Sequence, residues 1–530
     1  MKISTNNRLI LASLALVPTL ANAADNRPNI IFLMTDDQSI KSIHAQGYDN
    51  LKTPNLDNLV SQGVSFMSHY ATTSISMASR AITMTGMYEY KTGTNFLHGG
   101  MDPAMFELSY PVLLQKNGYF TGFAGKFGFA LNAVEGKDNC NSYSVLPVDR
   151  FDMWAGGTGQ THYETEKNKY LTQYAKDYPH SSRAYGAFGC DFIDEAKKSG
   201  KPFCLSISFK APHSPTTVDP KFLGIYDDTT FEVPKSAADA DTRLPLQARL
   251  GRQFLTFFGK EKHKNFEESV RGYHSQIYGV DYAVGMIVEK LKAEGLDKNT
   301  IVIFTSDNGW ALGEHRLGGK VLPYESSSRI PLVIVDPREG KTKGEFTKAI
   351  SGNIDIAPTI LDYAGVEIPK NMDGTSLSPV VKNPKAGAHE ALSLINVWGS
   401  PGCFSLAIVS EGMKYIYWCF GDKMSPVEEL FDLAKDPGEL NNVAKEKKYA
   451  KTLDKLRKLH DERLQTWAAE GTKRNNYLQF STILSRNVDW ETRKALIPQN
   501  LWNAYEGVLR KQMGYNGDFY NYEEVAKNRH

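Results

Sequence analysis

Long apolar runs are scarce in this chain, and the one present, Leu9 to Leu20, is too short to cross a bilayer. No later segment offers the length for a membrane-spanning helix. Neither sign of charge is in excess, with 61 basic against 60 acidic side chains, which removes the usual basis for nucleic-acid or membrane-surface binding. An anionic ligand would therefore need locally placed cations. Cysteine is sparse: Cys140, Cys190, Cys204, Cys403 and Cys419 form no C-x-x-C pair of the zinc-binding kind. The odd count allows at most two disulfides and a spare thiol, and Cys403 and Cys419 could close a hairpin. Repeats and low-complexity segments are missing too, which excludes a solenoid.

What is there begins with Met1-Lys2 and Arg8, the short apolar run, and then Ala21-Asn22-Ala23. That order reads as a secretory signal peptide over residues 1–23, and a periplasmic or secreted protein is expected. About 507 residues remain, enough for a large domain with a deep pocket and a smaller one beside it.

Pro28 to Met34 and Thr300 to Thr305 are continuous apolar runs, the pattern of strands buried on both faces. Phe203 to Phe209 and Pro331 to Val335 read as further strands. Ile277, Val280, Val284, Ile287 and Leu291 recur at alternating steps of three and four, which makes one helical face with Gly295 as its stop. Thr53-Pro54 opens another helix through Val60, with Thr as cap and Pro in the first turn. Asn353 to Ala364 is a third. This alternation predicts an α/β fold, a large mainly parallel sheet sandwiched by helices, over residues 24–385. Lys382 to Ala388 reads as a linker. Residues 386–530 are expected to form a smaller C-terminal antiparallel-sheet subdomain with an extension from about residue 470, its strands at Phe404 to Ser410 and Lys414 to Phe420.

Two strand ends carry oxygen ligands: Asp36-Asp37 after the first run, and Asp307-Asn308 after the second. Such hard donors suit Ca²⁺ or Mg²⁺ and disfavour zinc. Either pair alone is ordinary turn chemistry, as a Ser/Thr-rich run entering a helix is ordinarily a solvated cap. Ligands of open α/β sheets bind outside the carboxyl ends of parallel strands, so neighbouring strands would let these remote pairs meet.

Between them stands Ser76-Met77-Ala78-Ser79-Arg80, continuing through Ala81 to Thr85-Gly86, which resembles the signature of type I sulfatases almost position by position. The resemblance implies that Ser76 is oxidised by a maturation enzyme to formylglycine, with Arg80 holding the aldehyde hydrate. One hydroxyl of that hydrate attacks sulfur and the other expels sulfate. It further implies one divalent cation, commonly Ca²⁺, on Asp36, Asp37, Asp307 and Asn308. Gly125-Lys126, Ala211-Pro212-His213-Ser214-Pro215 and Gly313 to Lys320 are similar to three other family motifs, which gives Lys126, His213 and Lys320 sulfate contacts. By the same resemblance His213 or Lys320 assists the leaving alcohol, and His315 shapes the pocket or touches substrate. Glu429 to Leu433 with Asp436-Pro437 resembles the family's small C-terminal sheet.

The expected reaction is hydrolysis of a sulfate ester on a polysaccharide or oligosaccharide, an algal galactan such as carrageenan being the first guess and glycosaminoglycan fragments the second. Trp154 to Tyr163, with His162, could form a sugar-facing wall. One departure stands out: where the family carries a His two positions after its Gly-Lys, this chain has Gly128, so His315 or His69 would take over proton abstraction, or the second step differs. Ser76 itself fits a maturable serine or a replacement of cysteine. Two rivals remain open. A phosphatase or phosphodiesterase of the same superfamily would use unmodified serine beside a zinc pair, and a sugar-binding protein would carry a disabled site.

Overall fold

The computed structural model describes residues 26–131, 146–254, 257, 266–340, 344–399, 401–420, 425–499 and 501. The signal-peptide segment, Cys140 and the end of the C-terminal extension lie outside these residues.

Eight strands form one sheet in the order Glu345–Thr347, Val64–Phe66, Leu332–Val335, Thr300–Ser306, Asn29–Thr35, Phe203–Ser208, Phe120–Lys126, Met153–Gly157. All pairings are parallel except those of Leu332–Val335, which runs against both its neighbours. The apolar runs are continuous because each strand feeds two cores. Ile30, Phe32 and Met34 pack on one face with Ile301 and Ile303, whereas Ile31 and Leu33 pack on the other with Val302 and Phe304. Each such side chain, taken out of water, contributes about 1.5–3 kcal/mol.

Helices cover both faces. Ser76–Thr85, Tyr110–Lys116 and Ile356–Tyr363 lie on the first, through Met77, Ala81, Tyr110, Leu114 and Ile360. Pro54–Gln62, Ser181–Ser199 and Phe266–Ala293 lie on the second, and the periodic Val280, Val284, Ile287 and Leu291 are buried there. Gly295 ends the last of these with φ +70°. The cap expected at Thr53 is not made. Its hydroxyl accepts from His44 N at 2.9 Å and donates to Asp57 Oδ1 at 3.0 Å, so a tertiary contact has displaced the local one.

A second, antiparallel sheet follows the chain through Ala391–Asn396, Ser405–Ser410, Met413–Trp418 and Val427–Asp432, backed by the helix Ala450–Glu470. The hairpin disulfide is absent: Cys190, Cys204, Cys403 and Cys419 are all free thiols. Cys403 precedes the strand that pairs with Met413–Trp418, and its Sγ donates to Gln247 O at 3.2 Å instead.

Buried polar groups join the two sheets. Lys414, fully buried, pairs with Glu325 at 2.7 Å and Glu439 at 3.0 Å, while Glu429 accepts from Tyr324 Oη at 3.0 Å and Trp418 Nε1 at 2.8 Å. Burial pushes the Glu429 carboxyl up to about 7 from 4.5. A carboxyl raised in the folded state lends stability that is whole below pH 4.5 and lost as pH rises through 7. Stability is accordingly expected to fall by about 3 kcal/mol between pH 4 and pH 8 on this account, and Glu429→Gln to flatten that fall. Urea unfolding at several pH values checks it; an unchanged slope in the variant rejects Glu429 as the source.

The extension packs as part of the second core, with Tyr477, Phe480 and Ile483 buried. Tyr477 Oη donates to Glu89 Oε1 through a short hydrogen bond. The other oxygen of this buried Glu89 accepts from Thr73 Oγ1 at 2.7 Å, on the turn that leads into the helix of Ser76.

Candidate active site

Register assembles the site. Thr35 and Ser306 are the last paired residues of their strands, so Asp36 and Asp307 emerge side by side, and Asp307 N donates to Thr35 O at 3.0 Å. The strand Phe203–Ser208 lies on the other side of Asn29–Thr35 and delivers Lys210 to His213, with Asp36 N donating to Ala211 O at 3.2 Å. One strand further out, Lys126 ends Phe120–Lys126. Gly125 makes this close lateral packing possible: at φ +95°, a Cβ there would lie 1.9 Å from Ser208 O.

Ser76 is the first residue of its helix and is 1% exposed, so it is no solvated cap. Its hydroxyl donates to Asp36 Oδ1 at 3.0 Å and accepts from Lys320 Nζ at 2.7 Å. Lys126 Nζ lies 2.6 Å from Asp36 Oδ2, and Arg80 Nη2 lies 3.5 Å from that oxygen. Arg80 Nε donates to Asp307 Oδ2 at 2.9 Å and its Nη1 to Lys126 O at 2.7 Å. Lys320 Nζ also reaches Asp37 Oδ1 at 2.5 Å and Asn308 Oδ1 at 3.4 Å. Asp37 is tied to the second acidic pair: its N donates to Asp307 Oδ1 at 3.0 Å, and Asn308 Nδ2 donates to its Oδ1 at 2.6 Å. Asp36, Asp37, Ser76, Arg80, Lys126, Asp307, Asn308 and Lys320 thus form one buried network.

Three carboxylates face three cations there, and burial competes with neighbouring charge. For Asp36 burial is the largest influence and acts upward, yet Lys126, His213, Arg80 and Lys320 together pull it well below the usual range. Burial raises Asp37 and Asp307. Burial also brings Lys126 down to about 8, against the pull of Asp36. Lys320 is driven down by burial but held above its ordinary value by Asp37, Asp36 and Asp307. Because the charges balance, a divalent cation or an anion entering alone would unbalance a desolvated site, and the two together offset each other.

A hard cation fits. Asp37 Oδ2 is buried with no hydrogen-bond partner, and all four expected ligands offer oxygen. Ligand atoms of Asp36, Asp37 and His213 lie within 4.8 Å of one another. Asp307 is turned toward Arg80 and the Asp37 N–H.

His213 Nε2 stands 3.7 Å from Asp37 Oδ2. Its Nδ1 meets Ser214 O, a pure acceptor, so Nδ1 carries the proton in the neutral ring, and burial lowers the ring to about 4. His315 is elsewhere: 2% exposed, it takes a hydrogen bond from Arg243 at 3.1 Å and packs against Tyr324, 5.0 Å between centroids. His69 hydrogen-bonds Ser351 Oγ at 2.9 Å in a separate two-stranded sheet. Neither hydrogen-bonds Ser76 among the described residues. Gly128, at φ +89°, leaves no room for a substitute: a Cβ would come 2.4 Å from Arg80 Cδ.

The expected sugar-facing wall divides. Trp154 stacks on Phe123 at 5.0 Å and packs on Phe151, so it serves the core rather than a ligand. His162 is exposed, its backbone pinned to Asn168, and its side chain makes no hydrogen bond among the described residues. Gln160, within the same segment but not singled out there, accepts from Lys126 Nζ at 2.7 Å.

Residues 28–366 match the family model described as Sulfatase, well over half of the chain. This chain belongs to the sulfatase family. Residues 313–466 of the sulfatase also match a model described as N-sulphoglucosamine sulphohydrolase, C-terminal. It is 28% identical to an N-acetylglucosamine-6-O-sulfatase of Bacteroides thetaiotaomicron, over 82% of this chain and 86% of the relative. An ulvan-active sulfatase of Formosa agariphila is 26% identical, with 91% and 89% covered. A solved structure of a protein in complex with its substrate D-glucosamine-2-N,6-O-disulfate superposes with a TM-score of 0.70 at 25% identity, over 85% of this sulfatase and 99% of that chain. The sulfatase is a sulfuric ester hydrolase, and no helix among its described residues is long and apolar enough to cross a membrane.

Proposed function

We propose that this sulfatase removes sulfate from a sulfated carbohydrate, with sulfated glucosamine units of glycosaminoglycan fragments as the first candidate and galactans such as carrageenan as the second. The observation that carries the reading is the Ser76 hydroxyl held between Lys320 and Asp36, with Lys126 and Arg80 on the same carboxylate. The amino-sugar order follows the relatives named above. The short apolar run before Ala23 supports a periplasmic or secreted enzyme.

Formylglycine at position 76 would supply a hydrated aldehyde whose hydroxyl is a stronger nucleophile than serine and whose partner hydroxyl can expel sulfate. A Ca²⁺ or Mg²⁺ held by Asp36, Asp37, Asp307 and Asn308 would polarise a sulfuryl oxygen. Lys126, Lys320 and Arg80 Nη2, which is ion-paired with Asp36 but makes no hydrogen bond, bind the remaining oxygens in a desolvated pocket, where fixed cations act strongly on developing charge. Lys320 Nζ, on Ser76 Oγ, holds the proton balance at the nucleophile. His213 protonates the departing sugar oxygen, for which the ring must take a second proton; an anionic ester beside it favours that form.

Parallel assays with 4-nitrophenyl sulfate and 4-nitrophenyl phosphate test the reaction, and the expected outcome is turnover of the sulfate at least about 100-fold above the phosphate. Phosphate preference would reject sulfate-ester hydrolysis in favour of the phosphatase reading. Binding of sulfated oligosaccharides with no turnover by matured enzyme would favour the sugar-binding reading. A panel containing N-acetylglucosamine 6-sulfate and carrageenan oligosaccharides then orders the substrates.

A further inference from the structure

Gln160 is exposed yet reaches the buried Lys126, and its amide has only one permissible orientation. Lys126 Nζ carries protons and no lone pair, so the Gln160 atom 2.7 Å from it must be the carbonyl oxygen. The amide nitrogen, with two N–H donors, is thereby turned away from Lys126, on a side chain that is exposed. The backbone beneath it is fixed as well. Lys210, 7% exposed, donates from Nζ to Gln160 O at 3.0 Å and to Thr161 O at 2.9 Å. The same ammonium lies 4.9 Å from the ring centroid of Tyr163, whose hydroxyl donates to His213 O. One buried cation therefore ties the segment bearing Gln160 to the strand end bearing His213.

We propose that Gln160 is a substrate-binding residue, its amide N–H donating to a sulfate oxygen held by Lys126, and that Lys210 is the positioning residue that sets it there. This rests on the sulfate-binding half of the proposed function. It places a neutral donor beside Lys126.

The test is calorimetric binding of inorganic sulfate to the Ca²⁺-loaded enzyme, together with steady-state kinetics on N-acetylglucosamine 6-sulfate. Gln160→Ala, at an exposed position, is expected to weaken sulfate binding and raise KM about 10-fold while kcat changes less than about 3-fold. Lys210→Met should give a similar KM shift alone and add almost nothing in the Gln160→Ala background, because it acts through Gln160. Lys210→Arg should recover part of the loss. Unchanged sulfate affinity in Gln160→Ala, or fully additive effects in the double variant, overturns the proposal, and so does a parent enzyme that binds no sulfate. Sulfate binding without hydrolysis of any sulfate ester would defeat the hydrolase reading and leave Gln160 supported.

Discussion

Replacing Ser76 with Ala is expected to lower kcat by at least about 10⁴-fold, the scale seen when a nucleophile is deleted. Stability should barely change, by about 1 kcal/mol or less, because Lys320 keeps Asp37 and Asp36 keeps Lys126 after the hydroxyl is gone. The variant should still bind a sulfated sugar, which separates loss of chemistry from loss of the pocket. Mass spectrometry of the peptide spanning Ser76 in the parent protein should show the loss of two hydrogens. Residual turnover within about 10-fold of the parent would remove Ser76 from the nucleophile's role.

Asp307→Ala should act on stability and activity together. Arg80 is wholly buried, and Asp307 supplies its close partner at 2.9 Å; Asp36 stands 3.5 Å away. Breaking a buried pair from one side leaves a charge without compensation, at a cost of about 3–5 kcal/mol. The same carboxylate accepts from Asp37 N, so the turn carrying the other acidic pair loses an anchor. Chemical denaturation should report the stability loss, and kcat/KM should fall by at least about 10³-fold as the proposed cation site and Arg80 are disturbed. Asp307→Asn, which keeps the shape and a carbonyl oxygen, should recover much of the stability and little of the activity. A stable, active Asp307→Ala protein would separate Asp307 from the site.

The layered fold was legible because continuous apolar runs have few other uses in a chain of this size. Ile30 and Ile31 had to find different cores, and only a strand covered on both sides offers that. The antiparallel sense of Leu332–Val335 left no trace, since a buried strand has the same composition in either direction. The convergence of Asp36 with Asp307 could be anticipated from strand ends, but their adjacency depended on a register that sequence does not carry. Gln160 lay inside the Trp154 to Tyr163 segment expected to face sugar, but nothing singled it out there, because its meaning comes from Lys126, which chain topology alone brings near. Lys210 stands immediately before the Ala211 to Pro215 motif, three positions ahead of His213. His315 stood inside a matched motif, and the structure shows its ring accepting from the partly buried Arg243.

Glu89 has one oxygen on the turn before Ser76 and the other on Tyr477, nearly 400 residues later. During synthesis, a chain that has emerged only as far as the helix Ala450–Glu470 owns every acidic and basic group of the pocket but lacks this last clasp. The serine turn gains this clasp only once the segment bearing Tyr477 is in place, and a truncated product ending before Tyr477 is expected to be a poor hydrolase however well its large sheet folds.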